Sequence, residues 1–439
     1  MRVLLIDPPQ EFLRCRGQAR CVQPLGLGYV GAYLEKHGHE VRFLLPDTRS
    51  YIGDDPWGEL RAAVLAEAPD VVGMTAVTAS YPAARRMATE IKALLPQTTV
   101  VLGGTHASSN PVRSLLDAPD VDFVVAGEGE ETMRELLEVL ALGRGVEAPD
   151  KIAGLVWRDE DGKGRYSGPR ESISDLDALP FPKRDGLVWD EGIHPVFYQA
   201  MITLRGCPYR CIYCAVPSSN DRRTRYRSAT DVVDEIEYLR TTYDIPYLFF
   251  HDSVFTLHRG RTVEICQQMI ARGQQVPFAC QTRADRIDGE LLDLMKEAGC
   301  HQIFFGIESG DAVSLKKIRK KMSLEKIRSA VAEVKARQMR CTGFFMVGFP
   351  WEDEALIRRT ADFACSLDLD AVSLFSATPL PGTELWDMAG GDHMPENIDF
   401  RTPQVNLTSM SPEAYRAVYD DVSAQLKAYN RGRIGVVSW

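Results

Sequence analysis

The sequence predicts an α/β chain in which a flavodoxin-like doubly wound domain precedes a partial (β/α)6 barrel of the TIM type. Three observations predict it. Short β-branched apolar runs alternate with amphipathic stretches over residues 1–145. A polar, turn-rich segment interrupts that rhythm over 146–195, and the alternation then resumes through 196–388. The length of 439 residues leaves room for roughly two or three domains, each able to bury its own core.

Taken in order, the strand-like runs of the first domain are "RVLLID", "HEVRFLL", "PDVVGMTAV", "TTVVLGG" and "VDFVVAGEG". Helical patterns over 25–37, 57–67, 81–94, 110–117 and 130–142 separate them. Nearly continuous apolar strands with helices between them predict a parallel sheet covered on both faces. About five such units in under 150 residues suit the flavodoxin-like winding. The segment 146–195 carries Asp161-Gly162 and ends in a proline-rich stretch, which reads as a linker with a small hairpin. Beyond it, strands are predicted at 200–204, 246–252, 277–282, 300–308, 340–350 and 369–379. Helices are predicted at 229–242, 260–272, 289–298, 323–338 and 354–367. That makes about six repeats, too few for a complete barrel. The end, 389–439, holds one amphipathic stretch near 412–429 and reads as a helical segment.

Net charge is −10, which argues against nucleic acid or an anionic membrane as partner and is compatible with a cationic substrate. The first apolar run is too short for a signal core, and no stretch approaches a membrane span. The expected location is therefore the cytoplasm, where thiols stay reduced. Seven of the ten cysteines (15, 21, 266, 280, 300, 341 and 365) are scattered and read as small core residues. The other three, Cys207, Cys211 and Cys214, crowd into "RGCPYRCIYCAVP" directly after the first barrel strand. Functional groups of a βα barrel sit at the carboxyl ends of its strands, so this loop opens on the mouth. A structural zinc site wants four protein ligands, and no fourth Cys or His stands nearby. Three thiolates on a [4Fe–4S] cluster leave one iron open to a small-molecule ligand. A zinc knuckle is the plain alternative.

With this CxxxCxxC spacing the sequence resembles the radical S-adenosylmethionine (SAM) superfamily. "GIESG" (306–310), "FFMVGFP" (344–350) and "ATPLPGTEL" (377–385) look like later strand-end motifs of the subgroup with an N-terminal cobalamin-binding domain. "PLGLGYVGAYL", "VVLGGTHAS" and "VAGEGEE" stand in that domain's order. The resemblance covers nearly the whole chain except the last 50 residues. It implies a cluster on Cys207, Cys211 and Cys214, with SAM chelating the open iron. Tyr213 takes the aromatic position near the adenine, and Glu308, Ser309 and Gly348 are the implied SAM contacts. Gly103, Gly104, Gly127 and Gly129 are the implied cobalamin-binding glycines; the Asp-x-His-x-x-Gly motif of many cobalamin domains does not occur, and His37, His39 and His106 lack its context.

His251 and Asp252, at the second barrel strand end, are candidate catalytic residues, with packing as the alternative for His251. Arg283 and Asp285 line the mouth or pair with each other, and Arg319 and Lys320 read as a solvated face. The chemistry implied is reductive cleavage of SAM to a 5′-deoxyadenosyl radical and hydrogen abstraction from an unactivated carbon of a small, natural-product-like substrate. An electron donor such as flavodoxin or ferredoxin is implied with it. Cobalamin-dependent methylation is the leading outcome. Dehydration of a diol in a cationic amino sugar, as in aminoglycoside antibiotic pathways, is the second. A non-catalytic corrinoid- or iron–sulfur-binding sensor is the third.

Overall fold

The computed structural model describes all residues except 10–22, 47–54, 144–147, 190–192, 217–221, 392–397 and 434–439. The chain divides into two compact units, one made chiefly of Met1–Tyr198 and one chiefly of 199–214 with 226–439.

The first unit is built on a seven-stranded sheet. Strands β1 (Arg2–Ile6), β2 (Glu40–Leu44), β3 (Val71–Thr75), β4 (Thr99–Gly103) and β5 (Phe123–Val125) are parallel. Their spatial order is β2-β1-β3-β4-β5, the flavodoxin winding, whose crevice lies where the strand order reverses. The alternation of β1 explains the two layers. Leu4 and Ile6 join one buried cluster with Leu60 and Met87, whereas Val3 and Leu5 join another with Leu34 and Leu136. Each face therefore takes its own layer of helices.

The segment expected as a linker belongs to this unit. Strands β6 (Leu155–Arg158) and β7 (Gly164–Tyr166) form the expected hairpin, and it continues the sheet in antiparallel fashion beyond β5. Val156 and Leu155 are fully buried on opposite faces, which is why the hairpin docks on the sheet.

The second unit carries six parallel strands in sequence order: β8 (Ala200–Met201), β9 (Leu248–Phe250), β10 (Phe278–Thr282), β11 (Cys300–Glu308), β12 (Arg340–Val347) and β13 (Ala371–Ser376). Helices Ala229–Tyr243, Arg259–Ala271, Gly289–Glu297, Leu324–Ala336 and Glu354–Ser366 return between them. Ser228, Asp288, Ser323 and Asp353 each accept a first-turn N–H as N-cap, a contact contributing about 1 kcal/mol apiece. This is the partial (β/α)6 barrel. The last helix, Pro412–Arg431, packs against β13 and Glu354–Ser366, so this helix is part of the second unit. Cys266, Cys280, Cys300 and Cys341 are buried core thiols as expected, Cys365 is half-buried, and Cys15 and Cys21 lie outside the described residues. Among the described residues no helix is long and apolar enough to cross a membrane.

Candidate active site at the barrel mouth

Beyond β8 the chain forms a further short strand at Leu204–Arg205, and the cysteine loop opens from it at Gly206, whose φ of +89° lets the chain turn at once. Just before it, Thr203 is held from below. Its backbone N–H and hydroxyl donate to the two oxygens of Asp252 at 2.7 and 2.5 Å, and the Leu204 N–H adds a third bond at 3.1 Å. Arg261 donates to the Thr203 hydroxyl and carbonyl at 3.1 and 2.6 Å. Burial pushes the Asp252 carboxyl up, opposed by the Thr203 bonds and the Arg261 charge. Both Asp252 oxygens are thus occupied inside the protein, and the geometry is that of an anchor for the loop, in place of the reacting group expected from its strand-end position. His251 differs: it is exposed, with its ring 4.4 Å from Phe249.

Cys207 is buried, and Cys211 and Cys214 are half-buried, and none of the three is in a disulfide. Burial raises the Cys207 thiol, with the positive charges of Arg283 and Lys320 acting against it. The loop is pinned by the Ile212 N–H on the Ile318 carbonyl and by the Leu385 N–H on the Ile212 carbonyl. No three His, Cys, Asp or Glu side chains among the described residues converge as ligands of a single ion. Three thiols with no fourth Cys or His in the loop are the donor set of a [4Fe–4S] cluster with one open iron, whereas a structural zinc site takes four protein ligands.

Around the loop the strand ends bring together several of the expected residues. Glu308 ends β11 with φ +74°, beyond a register shift between Gly306 and Glu308. It is buried, accepts from Lys320 Nζ at 2.9 Å, and interacts with the Tyr213 hydroxyl. Burial first, and the Glu308 charge second, push the Tyr213 phenol well up. A Cβ on Gly306 would stand 2.7 Å from Glu308 Oε1 and 2.9 Å from Lys320 Nζ, so a larger residue there would push the ends of these two side chains aside. Lys320 is therefore buried in the site, not on a solvated face, while its neighbour Arg319 pairs with exposed Glu384. The Tyr213 ring lies 6.2 Å from Phe349, which stacks parallel on Trp351.

Ser309 is fully buried. Its hydroxyl meets Thr360 and receives the Asp311 N–H, which places it in the support of the strand end. Gly348 has φ +96°, and a Cβ there would fall 2.0 Å from the Tyr415 hydroxyl. Its N–H and that of Phe349 donate to Glu352 Oε2 at 2.7 and 3.1 Å. Glu352 and Tyr415 were not singled out from sequence; the carboxylate four residues after Gly348 was the available signal for the first. Tyr415 lies in a tail without a motif, and nothing local marks it. Arg283 pairs with Asp285 at 2.8 and 2.9 Å, the pairing alternative.

In the first unit, Gly103, Gly104, Gly127 and Gly129 sit at the ends of β4 and β5. They divide by surroundings. A Cβ on Gly104 would meet Ala76 N and Thr75 Oγ1 at 2.6 Å, a close backbone approach, whereas one on Gly127, with φ +88°, would have no atom of the described residues within 4 Å. His106 packs on Tyr81 at 4.1 Å with Nδ1 3.3 Å from Thr78 Oγ1, and burial lowers its pKa to about 4. It is a neutral packing residue.

Comparison with known proteins adds to this geometry. Residues 201–364 match the radical SAM superfamily model, and residues 18–137 match the B12 binding domain model. The chain is 31% identical over 402 residues to an uncharacterized methyltransferase of Pyrococcus horikoshii, covering 91% of this chain and 86% of that one. It is 30% identical to the cytidylyl-2-hydroxyethylphosphonate methyltransferase of Streptomyces wedmorensis, over 88% and 80% of the two chains. In fold it is similar to the radical SAM methyltransferase TsrM of Kitasatospora setae, solved with cobalamin and a [4Fe–4S] cluster. That likeness has a TM-score of 0.80 at 19% identity and covers 100% and 91% of the chains.

Proposed function

The chain belongs to the radical SAM superfamily, in the group that carries a B12 binding domain, and on that footing we propose that it methylates an unactivated carbon of a small molecule. The cofactors of that group are a [4Fe–4S] cluster, SAM and cobalamin. The observation that carries the reading is the cysteine loop beyond the first barrel strand, anchored through Thr203 by Asp252 and Arg261. When bound, the cluster supplies the electron that cleaves SAM to methionine and a 5′-deoxyadenosyl radical, and cobalamin carries the methyl group.

The chain's own residues do the rest. Cys207, Cys211 and Cys214 hold the cluster, and the anchoring of their loop fixes its position. Tyr213, backed by Phe349, offers an apolar face to the adenine; Glu308, oriented by Lys320, accepts from SAM hydroxyl or amino groups. The Gly348 turn brings backbone close to the same cofactor, with Ser309 supporting the neighbouring strand end. Exposed His251 is the group able to move a proton at the substrate. Gly103, Gly104, Gly127 and Gly129 shape the cobalamin crevice. A low-potential one-electron donor of the flavodoxin or ferredoxin type serves as reductant.

Methyltransferase names on both relatives, each matched over most of its length, support methylation over dehydration. The cationic amino sugar finds little support at the mouth, because Glu308 and Asp285 already pair with Lys320 and Arg283, and Asp252 is buried. The test is anaerobic reconstitution with iron and sulfide, incubation with hydroxocobalamin, desalting and a cobalt assay beside a deoxyadenosine assay. Retained corrinoid with SAM cleavage supports the reading; SAM cleavage with no retained corrinoid defeats it.

A further inference from the structure

Arg283 follows β10 at the mouth, and the side chain is almost wholly enclosed. Its Nε and Nη2 donate to the two oxygens of Asp285 at 2.8 and 2.9 Å, and Nη2 also reaches the Lys320 carbonyl at 2.7 Å. Its Cζ lies 3.8 Å from the ring centroid of Tyr209, a residue between Cys207 and Cys211. The Tyr209 hydroxyl is in turn held by Arg286 Nε at 2.6 Å. One atom is left over. Nη1 is buried and has no acceptor among the described residues. Buried donors are nearly always satisfied, so this one calls for a partner that the protein itself does not supply. The partner must be an acceptor, since a guanidinium offers only donors, and a negative one is favoured. Arg283 is stacked on the cysteine loop and interacts electrostatically with Cys207 and Cys211, so the anionic sulfurs of that loop's cluster are acceptors of the required kind on the element it packs against.

We propose that Arg283 Nη1 donates a hydrogen bond to an anionic sulfur of the cluster held by Cys207, Cys211 and Cys214, and that this contact raises the cluster's reduction potential. The inference rests on the cluster reading given above. Reduction adds one electron and hence one negative charge, which a buried cation and N–H donor stabilise. Arg283 touches the cluster in this account, and Asp285 and Tyr209 are the positioning residues that keep its fork in place.

The experiment is an EPR-monitored redox titration of the reconstituted full chain with dithionite as reductant, without and with SAM, after iron and sulfide are quantified. For Arg283→Gln the reduction equilibrium is expected to fall about tenfold, a midpoint 59 mV lower for a one-electron couple, already without SAM. Arg283→Lys keeps the charge and loses the fork, so its midpoint is expected between the two. If Arg283→Gln loads no iron, Arg283→Lys decides: a wild-type midpoint there overturns the proposal. Equal midpoints in fully loaded wild type and Arg283→Gln overturn it too. If only SAM affinity falls while the midpoint without SAM is unchanged, the donor serves the SAM carboxylate and the sulfur assignment is wrong. Failure of the wild type itself to take up iron strikes the cluster reading, which separates the two.

Discussion

Glu308 combines two costs that a merely structural residue would avoid. It holds φ at +74° as a non-glycine, a strain of roughly 1–3 kcal/mol, and it buries a carboxylate beside Lys320. Glu308→Gln is expected to weaken SAM binding about tenfold, the loss of one charge-assisted hydrogen bond. Equilibrium dialysis of SAM with the reconstituted variant checks this, and unaltered affinity removes Glu308 from the SAM site. Glu352 yields a pH prediction. Burial raises its carboxyl from 4.5 to about 7, outweighing the Phe349 and Gly348 N–H bonds, and Oε1 has no partner among the described residues. The folded state therefore holds this proton more tightly than the unfolded state does. The stability it contributes is complete below about pH 4.5 and is lost as pH rises through about 7, a change on the order of 3 kcal/mol. Glu352→Gln removes that dependence, so urea unfolding of the variant should be flatter across this window. Equal slopes for the two proteins would show that Glu352 titrates alike folded and unfolded. The sequence marked Glu308 because it closes an apolar run. Lys320 passed for a surface residue because a short run of basic residues looks the same whether one of them turns inward or none does.

At the scale of elements, periodicity was most legible where one residue pattern served one environment. Strand β11 spans the run expected at 300–308, and the five barrel helices fall within a residue or two of their predicted ranges. The hairpin at 155–166 was legible as a hairpin but not as sheet, because its docking depends on a distant edge, β5. The tail helix was legible and its task was not. Tyr415 reaches from it to the Ser376 hydroxyl at 3.0 Å and fills the space beside Gly348, a contact between residues 67 positions apart (415 less 348) that no local pattern announces. Gly348→Ala should cost about 3 kcal/mol, from the left-handed φ and from overpacking against that ring. Tyr415→Phe alone should cost about 1 kcal/mol through its lost hydrogen bond. Together they should cost less than the sum, because the hydroxyl is the atom nearest the new methyl. Strict additivity in chemical denaturation would mean that the turn moves away from the helix rather than pressing on it.

For the whole molecule, the net charge of −10 is compatible with a cationic substrate, while the carboxylates Glu308 and Asp285 at the mouth are engaged by Lys320 and Arg283. Net charge describes a surface, and a site is described by its pairs. The chain divides into two compact units, each with buried apolar residues of its own, so that a change in one can be read apart from the other. Gly127 has a left-handed φ and no atom of the described residues within 4 Å of an added Cβ, so Gly127→Ala brings backbone strain of about 1–2 kcal/mol and no clash among the described residues. If that space belongs to the corrinoid, the added methyl lowers cobalamin retention while deoxyadenosine formation in the absence of methyl acceptor stays near wild type. Cys207→Ala should do the reverse, ending deoxyadenosine formation and sparing retention of the corrinoid. Gly104→Ala serves as the structural contrast, since its methyl would press on Ala76 backbone and should lower the melting temperature first. The measurement is a cobalt assay and a deoxyadenosine assay on the same three variants, with a thermal melt beside them. Loss of both activities in Gly127→Ala without a fall in melting temperature would contradict the division of labour, and would mean that the SAM chemistry depends on what the first domain binds.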